Sequence, residues 1–351
     1  MENQNQTPHK RRVRYKGKYP KKFEEKYKEL QPEKYKDTIE HVIQKGNTPA
    51  GMHISIMVKE ILDFLNIQPG ETGFDATLGY GGHTKAMLQC LNGKGHIYAT
   101  DVDPEESAKT KKRLAEQGFG KELLTVKLQN FCTIDEIAKE VGGFDFILAD
   151  LGVSSMQIDN PKRGFSFKTD GPLDLRLNQE TGISAAQRLD TISREELAGM
   201  LCENSDEPYC EELAKAITDE IRRGNHIDTT TKLRQVIEKT LDFLPEKEKK
   251  ETIKKTCQRT FQALRIDVNH EFEVLYEFME KLPDALRPGG RVAILTFHSG
   301  EDKLVKKALK AGYKEGIYSD YAKDVIRPSA KECTQNPRAR STKMRWAIKA
   351  E

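Results

Sequence analysis

A glycine-rich turn between an apolar run and a helical pattern most constrains the fold of this chain. Residues 74–78 form the apolar run, three glycines follow within positions 79–82, and an apolar spacing typical of a helix continues to about Leu91. Glycine has no Cβ and tolerates positive φ, so backbone N–H groups at such a turn can approach a ligand closely. The order predicts a strand, a tight turn and a helix N-terminus. A tight turn without a ligand is the alternative.

An acidic residue follows at the end of a second predicted strand. Residues 96–100 read as that strand, and Asp101 comes directly after it. A carboxylate in this position, about 20 residues after a glycine turn, suits hydrogen bonds to the hydroxyls of a ribose. Together the two features predict half of a nucleotide-binding sheet. An α/β domain without a ligand stays open as the alternative.

Strand and helix patterns alternate four times in the first half of the chain. The strands are predicted at 72–75, 96–100, 123–128 and 144–150, and the last ends in Asp150. Such alternation predicts an α/β fold with a doubly wound parallel sheet. The pattern resumes with strands at 291–297 and 343–349.

Between the fourth and fifth strands the chain shows helical patterns only. Helices are predicted at 184–191, 194–203, 208–223, 230–242, 246–256 and 266–284, with N-caps at Ser193 and Thr229. We interpret residues 160–257 as an inserted all-α domain. Residues 51–159 and 258–351 then form the main domain, and residues 1–50 form a basic, partly disordered N-terminal extension.

The composition predicts that the protein resides in the cytoplasm. Hydrophobic residues make up 36% and charged residues 32%, no apolar run could span a bilayer, and the N-terminus lacks the apolar segment of a secretory signal. The six cysteines are scattered without a C-x-x-C pair, so we expect reduced thiols and no metal site.

Positive charge is concentrated at both ends of the sequence. The net charge is only +3, yet residues 10–22 hold eight Lys or Arg and no acid, and residues 327–349 are also basic. This distribution favours a polyanionic partner. Solvated tails that aid solubility are the alternative.

The carboxyl ends of the predicted strands bring together the side chains of a candidate ligand site. Ligands of an open parallel sheet lie across these ends, which here carry the glycine turn, Asp101, Phe131, Asp150 and His298. A ribose-binding acid, an aromatic residue and a glycine turn match S-adenosylmethionine. The turn lacks the full G-x-G-x-x-G spacing, which disfavours a dinucleotide and an NAD-linked dehydrogenase.

Seven sequence blocks together are typical of a known family. They are 53–60, 75–83, 150–157, 163–167, 173–176, 261–266 and 297–302. On these blocks the chain resembles the ribosomal RNA small-subunit methyltransferase H (MraW-like) family over about residues 52–349. The resemblance implies a class I (Rossmann-like) fold and S-adenosylmethionine-dependent methylation of N4 of a cytosine in the decoding region of bacterial 16S rRNA.

The resemblance also implies which residues contact the cofactor. They are Gly81, Gly82, His83, Asp101, Phe131, Asp150 and Gln157. The chain departs from the family pattern in its first fifty or so residues, at 204–207 and at Gly300. The two internal departures put local substrate contacts in doubt, not the reaction.

The reaction itself points to Asp150 as the catalytic residue. An exocyclic amine of cytosine is a weak nucleophile because its lone pair is shared with the ring, so an acceptor for its N–H would orient that lone pair. Asp150 is the acid best placed for this. The alternative is that it only contacts the cofactor or caps a turn. Candidate substrate contacts are Arg163, Phe165, Arg265 and His298, for which ion pairs or core packing are the alternatives.

Two other functions stay open from the sequence. One is methylation of another nucleic-acid amine, such as one in DNA. The other is a non-catalytic RNA-binding ribosome assembly factor with the same fold. The small ribosomal subunit is the expected partner, no membrane association is expected, and the oligomeric state is left open, with a homodimer as one option.

Overall fold

The computed structural model describes residues 55–351, so the predicted extension at 1–50 lies outside the described residues. Within them, seven strands form one sheet. They are β1 (Thr72–Asp75), β2 (His96–Asp101), β3 (Leu124–Leu128), β4 (Phe144–Asp150), β5 (Leu286–Thr296), β6 (Tyr318–Tyr321) and β7 (Lys343–Lys349).

The spatial order of the strands is β3-β2-β1-β4-β5-β7-β6. The first five are mutually parallel, β7 runs antiparallel to β5, and β6 runs antiparallel to β7. The predicted doubly wound sheet is confirmed. Strand β6 was not predicted, because Tyr318–Tyr321 has two exposed polar residues at its centre and no apolar run.

Helices surround the sheet and form a separate block after β4. In the described range they are α1 (Val58–Leu65), α2 (Gly82–Leu91), α3 (Pro104–Glu116), α4 (Ile134–Val141), α5 (Ser155–Asp159), α6 (Ala185–Thr191), α7 (Arg194–Ser205), α8 (Cys210–Arg222), α9 (Thr230–Thr240), α10 (Glu246–Asn269), α11 (Glu271–Ala285), α12 (Ser299–Lys314) and α13 (Ala330–Gln335). Among them, no helix is both long and apolar enough to cross a membrane.

Apolar side chains are buried on both faces of the sheet. On one face, residues such as Ile61 and Met87 bring α1 and α2 against β2 and β4. On the other, residues such as Ile137, Phe278 and Val305 bring α4, α11 and α12 against β1 and β5. Strand β4 is almost continuously buried, which explains why it is apolar at successive positions and not at alternate ones.

A third apolar cluster holds the helical block together. It contains side chains from α6 to α10, and Phe165, Leu173 and Leu175 from the segment before α6 also belong to it. The predicted N-caps are confirmed: the Ser193 and Thr229 hydroxyls accept hydrogen bonds from the backbone N–H groups of Glu196 and Lys232.

Helix α10 differs from the prediction. Separate helices were expected at 246–256 and 266–284, but a single helix runs from Glu246 to Asn269, and the break comes at His270 with φ 51°. The separation expected between 256 and 266 is therefore wrong. Helix α10 also crosses position 257, where the inserted domain was predicted to end; that division into domains stays a prediction.

The start of β5 also differs. The strand was predicted at 291–297, but β5 already begins at Leu286 and ends at Thr296. The pairing passes from Phe144–Leu286 to Phe146–Arg291, so five steps along β5 match two along β4. The extra residues, which include Gly289 with φ 70°, form a bulge.

Candidate active site

The glycine turn joins β1 to α2 in a conformation that requires glycine. Gly79 has φ 46° and Gly81, the N-cap of α2, has φ 76°. A Cβ on Gly81 would lie 2.7 Å from Cγ2 of Thr110, and one on Gly82 would lie 1.9 Å from Oγ of Ser55. Backbone conformation and close packing together explain the three glycines.

A buried carboxylate anchors this turn to the sheet. Oδ2 of Asp75 accepts a hydrogen bond from the Thr84 hydroxyl at 2.6 Å, and Oδ1 accepts one from the backbone N–H of Thr77 at 3.1 Å. Burial raises the pKa of Asp75, although both hydrogen bonds lower it. The end of β1 is thereby fixed to the first turn of α2.

Asp101 connects the end of β2 with the same turn. Its Oδ2 accepts a hydrogen bond from the backbone N–H of Gly79 at 2.8 Å, and its Oδ1 accepts one from the N–H of Asp103 at 2.9 Å. Burial raises its pKa to about 6 although both hydrogen bonds lower it. The structure therefore places the predicted ribose-binding carboxylate beside the glycine turn.

The end of β4 meets the turn through His83 and Asp150. Nδ1 of His83 lies 3.4 Å from Oδ2 of Asp150, and its Nε2 lies 2.8 Å from the carbonyl oxygen of Ile56. The backbone N–H of Asp150 donates to the Thr77 hydroxyl at 2.8 Å. Both ring nitrogens thus face oxygen acceptors, which favours the doubly protonated imidazolium.

The electrostatics agree with this geometry. Burial lowers the pKa of His83, but the hydrogen bond and negative charge of Asp150 outweigh it and raise the pKa to about 8. The other carboxylate oxygen of Asp150, Oδ1, is buried and has no hydrogen-bond partner within residues 55–351. A buried acceptor without a partner is unusual in a folded protein and marks this atom as available to a ligand.

Asp103 organises the neighbouring loop, and the sequence interpretation missed it. The residue is fully buried and caps α3: its Oδ1 accepts the backbone N–H groups of Glu105 and Glu106, each at 3.1 Å. Its Oδ2 lies 2.8 Å from Nη2 of Arg163 and accepts a hydrogen bond from Nε2 of Gln157 at 3.1 Å. An Asp followed by Pro104 is a helix-start signal, which could have identified the cap but not the ion pair.

Two of the expected cofactor contacts, Gln157 and Phe131, have structural partners. The amide of Gln157 bonds to Asp103 and, through Oε1, to the backbone N–H of Ser154 in a capping box. Phe131 packs edge-on against Phe278, with ring centroids 5.2 Å apart. Their cofactor contacts stay predictions.

Two candidate substrate residues lie in the interior. Arg163 is 6% exposed, pairs with Asp103 and donates to the carbonyl oxygen of Leu177 at 2.6 Å. Phe165 is 9% exposed and packs in the apolar cluster of the helical block. Their substrate contacts stay predictions, but these positions fit the structural alternatives, an ion pair for Arg163 and core packing for Phe165.

The other two candidates, Arg265 and His298, belong to a charged cluster at the end of β5. Arg265 pairs with both carboxylate oxygens of Glu271, at 2.7 and 2.8 Å, and His298 lies 3.1 Å from Glu301. Potential ligand atoms of Glu271, His298 and Glu301 lie within 4.8 Å of one another, as in a metal site. The Arg265 guanidinium already neutralises Glu271, so we interpret this group as an ion-pair cluster. Its substrate contacts stay a prediction.

Comparison with known proteins points to one group of enzymes. The MraW methylase family matches residues 50–350 of this chain. The chain is 85% identical to ribosomal RNA small subunit methyltransferase H 1 of Agathobacter rectalis. The alignment spans 343 residues and covers 98% of each protein. It is 37% identical to ribosomal RNA small subunit methyltransferase H of Acidobacterium capsulatum, over 85% of this chain and 98% of the relative.

Proposed function

This chain belongs to the MraW methylase family, and from that premise we propose that it methylates N4 of a cytosine in the decoding region of 16S rRNA. The methyl donor is S-adenosylmethionine. The names of its relatives specify ribosomal RNA of the small subunit, and we extend that substrate to this chain. Such a substrate would place the enzyme in the cytoplasm.

The residues at the strand ends fit this donor. The proposal assigns the ribose to Asp101, whose side chain is held beside the glycine turn by the N–H of Gly79 at 2.8 Å. It assigns the charged tail to the turn around Gly81 and Gly82, where a Cβ would find no room. Bound S-adenosylmethionine supplies an electrophilic methyl group on a sulfonium.

The observation that carries the proposal is the free acceptor atom of Asp150. Its buried Oδ1 has no partner within the described range, while Oδ2 lies 3.4 Å from Nδ1 of His83. We assign Oδ1 as the acceptor for an N–H of the cytosine amine, which turns the nitrogen lone pair away from the carboxylate. His83 fixes the orientation of that carboxylate. Positioning of this kind can lower a barrier by about 7–11 kcal/mol.

Oδ1 of Asp150 can also accept the proton that the amine must lose. The amine nitrogen gains a methyl group and must lose one proton to become neutral again. Oδ1 of Asp150 already accepts that N–H in the proposed arrangement, so it can receive the proton after transfer. The proton then passes to water.

Asp150→Asn tests the assignment. Asparagine keeps the size of the side chain but is a weaker acceptor and cannot take the proton, so we expect kcat to fall by about 10²–10⁴-fold. Affinity for S-adenosylmethionine, measured by calorimetry, should fall much less. Equal losses of turnover and of donor affinity would contradict the catalytic role.

A matched variant separates donor binding from catalysis. Asp101→Asn alters the proposed ribose contact, so it should weaken donor binding more than it lowers kcat. Transfer of a tritiated methyl group to small ribosomal subunits, free 16S rRNA and DNA, followed by nucleoside analysis, identifies the substrate. Labelling of DNA alone would favour another nucleic-acid amine, and no labelling despite RNA binding would favour an assembly factor.

A further inference from the structure

A groove in the helical block carries an excess of positive charge. It lies between α9, α10 and the segment after Arg163, and its volume is about 830 Å³. We call it the basic groove. Its cationic lining residues are Lys168, Arg234, Lys239, Lys249, Lys250 and Lys254.

The acids of the basic groove neutralise only two of these cations. Glu238 lies 3.3 Å from Nε of Arg234, and Asp242 lies 2.5 Å from Nζ of Lys249. Because the groove is lined by six cations and these two acids, it keeps a formal charge of +4. The whole chain has a net charge of only +3, so this concentration is local and not a general property of the surface.

The remaining four lysines are exposed and weakly held. Lys239 and Lys254 each lie 3.5 Å from an acid outside the groove, Glu220 and Glu251 respectively. Within residues 55–351, Lys168 and Lys250 have no acid at ion-pair distance. Exposed ion pairs at such distances contribute little to stability, so these ammonium groups are available to a partner.

Apolar and aromatic side chains accompany the charge. Phe167 and Ile253 also line the groove, together with Cys257, whose pKa burial raises to about 12, so its thiol is neutral. Directly after the lining residue Asp242, Phe243 is 67% exposed, but it does not line the groove and its ring packs edge-on against Tyr209 with centroids 6.3 Å apart. Cations beside accessible aromatic rings are typical of surfaces that bind single-stranded nucleic acid.

A short segment connects the basic groove with the candidate active site. This segment begins at Arg163, which pairs with Asp103 at 2.8 Å, and continues to the lining residues Phe167 and Lys168. It is then fixed to the start of α9, because Thr230 donates its backbone N–H to Gly171 at 2.9 Å and its hydroxyl to Thr169 at 2.8 Å. The groove is thus part of the same folded unit as the strand ends.

We propose that the basic groove binds the phosphate backbone of the RNA substrate, outside the nucleotide that is methylated. This inference rests on the proposed function, since it takes RNA as the substrate. Phosphates fit the exposed and weakly held ammonium groups of the groove. The groove therefore contributes affinity and register, while the strand ends supply the reaction.

The test replaces two groove lysines that lie on neighbouring turns of α10. The variant is Lys250→Ala/Lys254→Ala, and binding of a fluorescent single-stranded RNA is measured between 50 and 300 mM salt. Two lost phosphate contacts should make the plot of log K against log salt shallower by about 1.4, and weaken binding on the order of tenfold near 0.1 M salt. KM for small ribosomal subunits should rise, with kcat and S-adenosylmethionine affinity unchanged.

A control with the same change of charge comes from α12. Lys306 and Lys310 are exposed, have the same spacing and do not line the groove. Lys306→Ala/Lys310→Ala should leave the salt dependence and KM close to wild type. Equal effects of the two double variants, or no effect of the α10 variant, would show that the groove is only a solvated surface.

The groove proposal and the proposed function can fail independently of each other. If wild-type protein methylates small subunits and the α10 variant binds RNA normally, the groove proposal fails and the proposed function stands. If wild-type protein labels no RNA but the α10 variant still loses affinity for RNA, the proposed function fails and the groove proposal stands. Because the proposed contacts are to phosphates, the α10 variant should also bind single-stranded DNA of the same sequence more weakly than wild type; a loss confined to RNA would contradict contacts to phosphates alone.

Discussion

At the scale of single residues, His83 is held in an environment that keeps it charged. A backbone carbonyl and a carboxylate face its two ring nitrogens at 2.8 and 3.4 Å, and the ring is 8% exposed. Burial lowers the pKa of His83, but the hydrogen bond and negative charge of Asp150 outweigh this effect and raise the pKa to about 8. The same contact orients the carboxylate that we propose as the acceptor, so stability and the proposed catalytic role depend on one protonation state.

The raised pKa of His83 predicts how stability depends on pH. Its folded value, about 8, exceeds the ordinary value of 6.5, so the stabilisation is complete below pH 6.5 and is lost as the pH rises through about 8. The shift corresponds to about 2 kcal/mol. Urea unfolding of wild type and His83→Gln should therefore differ most at pH 6 and least at pH 9.

His226→Gln provides the control for this measurement. His226 is exposed and pairs with Asp190 at 3.0 Å on the surface of the helical block. Its replacement should produce a small difference in the free energy of unfolding. A His83→Gln difference that stays constant from pH 6 to pH 9 would contradict a charged His83.

At the scale of elements, α10 connects the helical block with the methyltransferase sheet. Its middle and second half bury Cys257, Phe261 and Leu264 in the cluster of the helical block. Farther on, Arg265 pairs with Glu271 at the start of α11, a helix that packs on the sheet. One continuous helix therefore carries contacts of both regions.

Gln258→Pro tests the continuity of α10. Gln258 is exposed near the middle of the helix, and proline there removes a backbone hydrogen bond and clashes with the preceding turn. We expect a loss of about 3 kcal/mol or more in the free energy of unfolding, measured with urea. Gln258→Ala, which suits a helix, should be neutral or slightly stabilising. Tolerance of the proline would indicate a flexible connection between residues 256 and 266.

At the scale of the whole molecule, a buried charge cluster fixes α12 to the antiparallel part of the sheet. Asp302 on α12 lies 2.7 Å from Nε of Arg345 and 2.9 Å from Nζ of Lys343, both on β7. Arg345 is almost fully buried. The cluster joins the helix after β5 to the last strand, which pairs with β5 itself.

This cluster predicts the response of the protein to acid. Burial raises the pKa of Asp302, but hydrogen bonds from Arg345 and Lys343 outweigh it and hold the pKa below the ordinary value of 3.8. The stabilisation is therefore present above about pH 4 and is lost as the pH falls through the folded value. Asp302→Asn should cost about 3–5 kcal/mol at pH 7, because Arg345 loses its partner.

Urea unfolding between pH 3 and pH 7 checks this prediction. The difference between wild type and Asp302→Asn should be constant near neutral pH and shrink in acid. Asp324→Asn is a suitable control, because Asp324 is exposed and has no ion pair in the described part of the chain. An equal loss in both variants would contradict a structural role for the cluster.

The sequence by itself determined the order of most elements and the family. Strands β1, β4 and β7 have the predicted boundaries, because each has a local apolar pattern with clear ends. The glycines of the turn were recognisable since glycine alone suits that backbone. The family resemblance, now confirmed by the match over residues 50–350, identified a methyltransferase.

Only the tertiary structure decided which polar groups meet. Asp103 and Arg163 are 60 positions apart, and no local pattern indicates that their side chains form a buried pair at 2.8 Å. The same holds for His83 and Asp150, which contribute from α2 and β4. The end of α10 was also hidden, since helical spacing continues to His270 without glycine or proline. Contacts between distant residues depend on how elements pack, and packing is a property of the whole fold.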